Sequence, residues 1–247
     1  METLKGKVAV ISGVGSGFGK ATAEYFASEA QCSLVLMDIN EKALADTVAN
    51  CKKSGSKVFG LQADVTKPET FTKALDICLK NFKKIDFLLN YAGGAIKYAP
   101  VEELDDAMNR RIIDLNLTSV MMSCRTFVPQ FKKQGSGKII NVSSVCDRRA
   151  WPGYSTYAAA KAAVREYSRN LYTEVRPFGI AVTTLVPGGS NTGFQDAEGL
   201  EKFEWDEDLA VRPEHFAHMA YAICALSKGA VVSEICLYGL AQDIAGF

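Results

Sequence analysis

The stretch "KVAVISGVGSGFGKATAEYFASEA", residues 7–30, holds three kinds of sequence in a fixed order. A short apolar run, "KVAVIS", comes first, then the glycine-rich "SGVGSGFG" (12–19), then a helical pattern. Strand, tight turn and helix together open a βαβ unit. Glycines let a backbone turn sharply and approach a pyrophosphate, which then sits at the positive end of the helix. A glycine-rich octapeptide alone is a weak signal, and its place between strand and helix gives it weight.

Outward from this stretch the same alternation continues. Apolar runs recur as "SLVLM" (33–37), "KVFGL" (57–61), "IDFLLN" (85–90), "KIINVS" (138–143), "GIAVTTLV" (179–186) and "EICLYG" (234–239). Helical patterns such as "EKALADTVANCKK" and "PETFTKALDICLKNF" lie between them, with Pro68 suited to a first turn after Thr66 or Lys67. Strands alternating with helices of this length predict an α/β fold with a mainly parallel, doubly wound, seven-stranded sheet. No linker, low-complexity tract or repeat breaks the chain, so residues 1–247 read as one domain. The one long stretch without periodicity, 188–212, is rich in glycine and acidic residues. Loops of that length in a compact domain are usually functional or mobile.

Bulk composition excludes some classes. Lys plus Arg equals Asp plus Glu at 28 each, so no basic field advertises nucleic acid or a membrane surface. Seven scattered cysteines without a C-x-x-C pair argue against a disulfide framework or zinc site and for a reducing compartment. Met1 leads into charged residues, and no apolar run approaches about 18 residues. The expectation is a soluble, cytoplasmic protein.

Asp38 ends the second apolar run, 19 residues after Gly19. A carboxylate there accepts hydrogen bonds from adenosine ribose hydroxyls and repels a 2′-phosphate. It also suits the start of the helix "INEKAL". No Arg or Lys stands at Val14, Gly15, Ser16, Ile39 or Asn40 to neutralise a phosphate, which favours NAD over NADP. Farther on, "GYSTYAAAKAAV" (153–164) puts Tyr157 and Lys161 four apart, hence on one helical face, with Tyr154 one turn earlier. An ammonium beside a phenol should lower its pKa from about 10 toward neutrality and make Tyr157 a proton donor or acceptor.

Jointly these elements resemble the short-chain dehydrogenase/reductase family, in its branch of about 250 residues. Ser12 to Gly19 matches the family's Thr-Gly-x-x-x-Gly-x-Gly, with Ser for Thr; Gly13, Gly17, Phe18 and Gly19 lie inside it. Asn90-Tyr91-Ala92-Gly93 matches Asn-Asn-Ala-Gly, with Tyr for the second Asn. Asn116 in "IIDLNLTSV" matches the mid-helix catalytic Asn, and Ser144, thirteen residues before Tyr157, matches the active-site Ser. Tyr157 and Lys161 match Tyr-x-x-x-Lys. Asp64 and Val65 stand where the family contacts adenine; Pro187, Gly188 and Thr192 stand where it surrounds the nicotinamide. The match runs from Lys7 to about Thr192 and then weakens, since "EICLYGLAQDIAGF" lacks the family's Val-Asp-Gly-Gly ending. That ending is closer to the branch of 3-hydroxy acid and serine dehydrogenases, whose best-known members prefer NADP, whereas Asp38 argues for NAD.

The resemblance implies a Rossmann-type fold, NAD as cofactor, and hydride transfer between a secondary alcohol and its ketone. Tyr157 would exchange the proton, Lys161 would lower the phenol's pKa and hold ribose hydroxyls, and Ser144 would orient the substrate oxygen. Asn116 would hold water or backbone in a proton path from Lys161. Alternation allows only one of Ser143 and Ser144 to face the pocket. A homotetramer or homodimer is implied too, through helices around 102–131 and 154–176. An NADPH-linked hydroxy-acid or 3-ketoacyl reductase is the alternative within the class, and a non-catalytic dinucleotide sensor the alternative outside it.

Other residues take plainer readings. His215 and His218 lack further ligands at metal spacing, and nothing adjacent activates Cys146. Arg148 and Arg149 read as solvated loop charges, with a substrate carboxylate as the other use. Residues 190–211, with Phe194, Phe203 and Trp205 among many acidic side chains, suggest a lid over cofactor and substrate.

Overall fold

Each of the seven apolar runs forms a strand in the computed structural model, which describes residues 1–196, 198–200, 206 and 208–242. The strands are β1 (Val8–Ser12), β2 (Ser33–Asp38), β3 (Val58–Gln62), β4 (Phe87–Asn90), β5 (Gly137–Val142), β6 (Ile180–Pro187) and β7 (Glu234–Leu237). They hydrogen-bond in the order β3-β2-β1-β4-β5-β6-β7, with every pairing parallel. Parallel neighbours need crossovers, and helices supply them: α1 (Gly17–Ser28), α2 (Glu41–Lys53), α3 (Pro68–Phe82), α4 (Asp106–Ile113), α5 (Ser119–Gln134), α6 (Ser155–Val175) and α7 (Pro213–Cys224).

Both faces of the sheet are covered, which is why its strands read as nearly unbroken apolar runs. Ala9, Ile11, Leu34, Leu36 and Leu89 belong to one core with Phe26 of α1 and Phe216 of α7. Their neighbours Val8, Val10, Val35 and Leu88 belong to the other, with Phe71 of α3 and Phe127 and Phe131 of α5. Burying each such ring contributes roughly 1.5–3 kcal/mol. α2 begins where the Asn40 side chain accepts from the Ala43 N–H (3.0 Å), and α3 begins at Pro68, directly after Lys67.

The chain runs from β1 outward to β3, then returns to lay β4 on the other side of β1. At that switch point the connections after β1 and β4 diverge and leave a crevice at the strands' C-terminal ends. Ser12 pairs with both Met37 and Asn90, so the turn after β1 lies against the turn after β4. Between α4 and α5 the helix widens to a π-helical stretch, Asp114–Thr118, which contains Asn116. Such widenings are rare and concentrate at functional sites.

Candidate active site

The crevice is a cleft of about 720 Å³, and the glycine turn forms one end of it. Gly13 has φ +74°, and a Cβ there would lie 2.6 Å from the Ala92 nitrogen. A Cβ on Gly19 would meet the Gly13 carbonyl oxygen at 2.1 Å. Only glycine permits these approaches. Ser16 precedes α1 without a side-chain cap bond, and the first turn of α1 holds no acidic residue. The N–H groups at this helix start therefore suit an anion.

Asp38 sits at the rim beside the turn. Its Oδ2 accepts from the Gly15 N–H (2.7 Å) and its Oδ1 from the Asn40 N–H (2.9 Å). Asn40, not Asp38, caps the following helix. Asp64 and Val65 also line the cleft. The Asp64 carboxylate accepts from both the N–H and the hydroxyl of Thr66 (2.9 and 2.8 Å), which fixes the loop after β3.

At the other end, α6 buries Tyr157 and, one turn later, Lys161. Lys161 Nζ donates to the Val142 carbonyl (3.0 Å) and lies 5.7 Å from the centre of the Tyr157 ring. The Ser144 hydroxyl lines the same cleft as the Tyr157 phenol and accepts from the Cys146 N–H (3.2 Å). Ser143 is committed elsewhere: its hydroxyl lies 2.7 Å from Asp147 Oδ2 and 2.8 Å from the Lys161 carbonyl. Ser144 is thus the hydroxyl left to meet a substrate.

Electrostatics here overturn one sequence expectation. Burial pushes the Tyr157 phenol above its ordinary value, with the Cys146 thiol adding to that and the nearby Ser144 hydroxyl opposing it. Burial also lowers Lys161 from 10.5 to about 8. Both groups have lost water, and desolvation disfavours the charged form of each. The expected fall in the phenol's pKa is therefore absent in the free protein. Burial likewise raises Cys146 to about 11, which keeps its thiol protonated at neutral pH.

Three expected site residues stand behind the cleft. The Ser12 hydroxyl accepts from the Ala92 N–H (3.4 Å), tying the two turns together. Asn116 clamps Gly94 from both sides, accepting from its N–H (3.0 Å) and donating to its carbonyl (2.8 Å). Asn90, expected at the cofactor, turns its side chain into the core, where it donates to Asn141 Oδ1 (2.8 Å) and accepts from Ser123 (2.8 Å). Period-two alternation at the end of β4 sends it away from the turn that Ala92 and Gly93 enter. Tyr91 packs beside α1, where its hydroxyl accepts from Thr22 (3.1 Å). Gly13, Gly17, Phe18, Gly19, Ala92, Gly93, Pro187, Gly188 and Thr192 all border the cleft.

Ile96, Trp151, Tyr154, Phe194 and Leu200 form an apolar wall near Tyr157; of these, only Phe194 was expected over the substrate. Gln242, far down the chain, accepts from the Gly189 N–H (2.8 Å). No motif announces these loop positions, although Tyr154 lies beside the Tyr-x-x-x-Lys segment. Arg148 is not simply solvated: it pairs with the buried Asp147 (2.7 Å) and with Glu234 (2.9 Å). His215 Nδ1 accepts from the Arg212 N–H (3.3 Å), and the His218 ring packs edge-on against Tyr25. Of the suggested lid, Gly193–Asp196 form a short 3-10 turn, whereas Phe203 and Trp205 lie outside the described residues.

Similarity to known proteins agrees with this geometry. The profile of the short chain dehydrogenase family matches residues 7–202. The chain is 32% identical to 3beta-hydroxysteroid dehydrogenase 1 of Eggerthella lenta over 89% of its own length and 82% of that protein. A 3-ketoacyl-(acyl-carrier-protein) reductase from Brucella melitensis, solved with NADH, superposes with TM-score 0.86 at 26% identity, covering 96% of this chain and 98% of that one. An alcohol dehydrogenase from the archaeon Thermococcus sibiricus, solved with 5-hydroxy-NADP, gives TM-score 0.85 at 25% identity over 97% and 99%. No helix among the described residues is long and apolar enough to cross a membrane. The chain belongs to the short-chain dehydrogenase/reductase family of oxidoreductases, whose structural neighbours hold a nicotinamide dinucleotide.

Proposed function

We propose that the protein is an NAD-dependent oxidoreductase that interconverts a secondary alcohol and its ketone, with Tyr157 as the general acid and base. The observation that carries this reading is the convergence of Tyr157, Ser144 and Lys161 in the same cleft as the glycine turn and Asp38. The chain is read as one dinucleotide-binding and catalytic domain. Gly13, Gly17, Phe18 and Gly19 would hold the pyrophosphate, and Asp38 the adenosine ribose. Asp64 and Val65 would flank the adenine, and Ala92, Gly93, Pro187, Gly188 and Thr192 the nicotinamide half. Bound there, NAD supplies the hydride acceptor for alcohol oxidation.

The chain's own residues then handle position and protons. Ser144 fixes the substrate oxygen beside the phenol, and Tyr157 takes or returns its proton. Lys161, charged below a pH of about 8, is the positive group available to the phenolate. Asn116 acts through Gly94, whose backbone it holds. Residues 193–196 and 198–200 would serve as part of a lid within 190–211. A homodimer or homotetramer, through the helices around 102–131 and 154–176, belongs to the same reading. Seven free cysteines suit a reducing cytoplasm.

The second reading is an NADPH-linked ketoacyl or hydroxy-acid reductase; the relative solved with 5-hydroxy-NADP, an alcohol dehydrogenase, supports its cofactor alone. The Asp38 carboxylate opposes it, because it would face the 2′-phosphate. A screen of NAD and NADP reduction across hydroxysteroids, cyclic and aliphatic alcohols and hydroxy acids tests both. NAD should lead by at least about tenfold in kcat/KM, which needs only about 1.4 kcal/mol. NADP ahead from the start would sink the role given to Asp38. NADH binding without turnover on any substrate would instead point to a sensor.

A further inference from the structure

We propose that Ile96 sets the size of the ring the active site accepts, held in place by a clasp between the loop after β4 and the segment at Glu198. This rests on the reading of function above. Ile96 has φ +62°, a left-handed conformation that β-branched residues rarely adopt. The Lys97 N–H donates to the Ala95 carbonyl (2.7 Å), closing a three-residue γ-turn around it. With φ positive this is the rarer, strained form of that turn. Strain of this kind persists only where surrounding structure imposes it, and it collects at ligand clamps.

What imposes it here is a parallel bridge between Lys97 and Glu198. The Glu198 N–H donates to the Ile96 carbonyl (2.9 Å), and the Tyr98 N–H donates to the Glu198 carbonyl (2.7 Å). Gly199 has φ +81°, and a Cβ there would lie 2.3 Å from the Tyr98 carbonyl oxygen. The clasp therefore requires glycine at 199. A Lys97–Glu198 ion pair (3.1 Å) closes it outside, where solvent exposure leaves it little energetic weight.

The clasp places Ile96 in the cleft wall beside Tyr154, Phe194 and Leu200, all packed around Tyr157. Tyr157 lies 6.3 Å from the Tyr154 ring and 5.4 Å from the Phe194 ring, centre to centre. Lys97, the cation nearest in sequence, is occupied by Glu198. The wall fits an uncharged, apolar cyclic alcohol or ketone, with Ile96 as its limit.

Two measurements test the proposal. The first is the kcat/KM ratio of phenylcyclohexanone to cyclohexanone with NADH. Ile96→Ala should raise it by about tenfold or more and Ile96→Phe should lower it, since one or two methylenes in a pocket carry discrimination of that order. NADH affinity should stay unchanged in both. Ratios unmoved in both variants would overturn the role of Ile96. The second is cleavage after Glu198 by a glutamate-specific protease, identified by mass spectrometry. NADH with phenylcyclohexanone should slow it in the wild type, whereas Gly199→Ala should be cut faster and lose that protection. Identical cleavage of wild type and Gly199→Ala would overturn the clasp. This second readout needs no turnover, so a wild type inactive on every alcohol would refute the functional reading while the clasp was still decided.

Discussion

Replacing Lys161 by methionine should stabilise the protein at neutral pH while ending turnover. Lys161 is only 4% exposed, and burial lowers it from 10.5 to about 8. At 1.36 kcal/mol per tenfold, that fall means the folded protein loses about 3 kcal/mol by keeping the ammonium charged. Methionine removes the charge and keeps much of the volume. It also leaves the Val142 carbonyl without its 3.0 Å donor, which costs about 1–2 kcal/mol. The net gain is about 1–2 kcal/mol, or a few degrees in Tm for a chain of this size.

The sign depends on pH in a definite way. Below pH 8 the lysine is charged in both folded and unfolded chains, so the full cost applies. Between about 8 and 10.5 the folded form releases its proton first, the unfolded chain binds more protons, and wild-type stability rises relative to the variant. Urea unfolding followed by circular dichroism should show the variant ahead at pH 7 and the difference shrinking or reversing near pH 10. A variant less stable at pH 7, or a difference independent of pH, would refute the claim that Lys161 is held at an energetic cost.

Three further outcomes follow from the site. Tyr157→Phe should keep the fold and NADH binding but lose about 10²–10⁴-fold in turnover, with Tyr154→Phe as the control in steady-state assays. Since burial raises the phenol, ultraviolet difference spectra of the free protein should show no tyrosinate assignable to Tyr157 at neutral pH. Asp38→Ala should narrow the NAD-over-NADP ratio mainly by weakening NAD, as titration with each reduced cofactor would show. Gly13→Ala should abolish NADH binding in a fluorescence titration, because its φ of +74° and the 2.6 Å approach to Ala92 admit no side chain.

The fold was legible because its determinants are local. Apolar runs such as Val8–Ser12 and Ile180–Pro187 lie between two helical layers, so their burial shows directly in composition. The glycine turn was legible for the same reason, as Gly13 and Gly19 have no substitute at their positions. What sequence could not give is the balance of forces at a buried site. Four-residue spacing places Lys161 near Tyr157, and from that alone the ammonium should lower the phenol's pKa. Spacing carries no measure of desolvation, and burial dominates both groups. The apolar wall was hidden for another reason: Ile96 and Leu200 come from loops with no periodicity, brought together by backbone hydrogen bonds that side-chain identity does not encode.

Asn90 shows how a motif residue can serve a site it does not touch. Its amide donates to Asn141 on β5, Asn141 donates to Ser168 on α6 (2.9 Å), and Ser123 on α5 donates back to Asn90. All four side chains are buried, so each unmade bond would carry a desolvation cost of about 1–3 kcal/mol. Sliding α6 by one position would break the link at Ser168, and with it the chain of bonds that fixes the helix against β4. That matters because β4 ends in the turn bearing Ala92 and Gly93, while α6 carries Tyr157 and Lys161. A Cβ on Gly93 would stand 2.9 Å from Asn116 Oδ1 and 3.2 Å from Lys161 Nζ, so the tolerance between turn and helix is a few tenths of an ångström. The buried amides hold that spacing from behind, just as Asn116 holds Gly94 from the side. Both asparagines thus hold backbone next to the turn and helix that carry the proposed catalytic side chains.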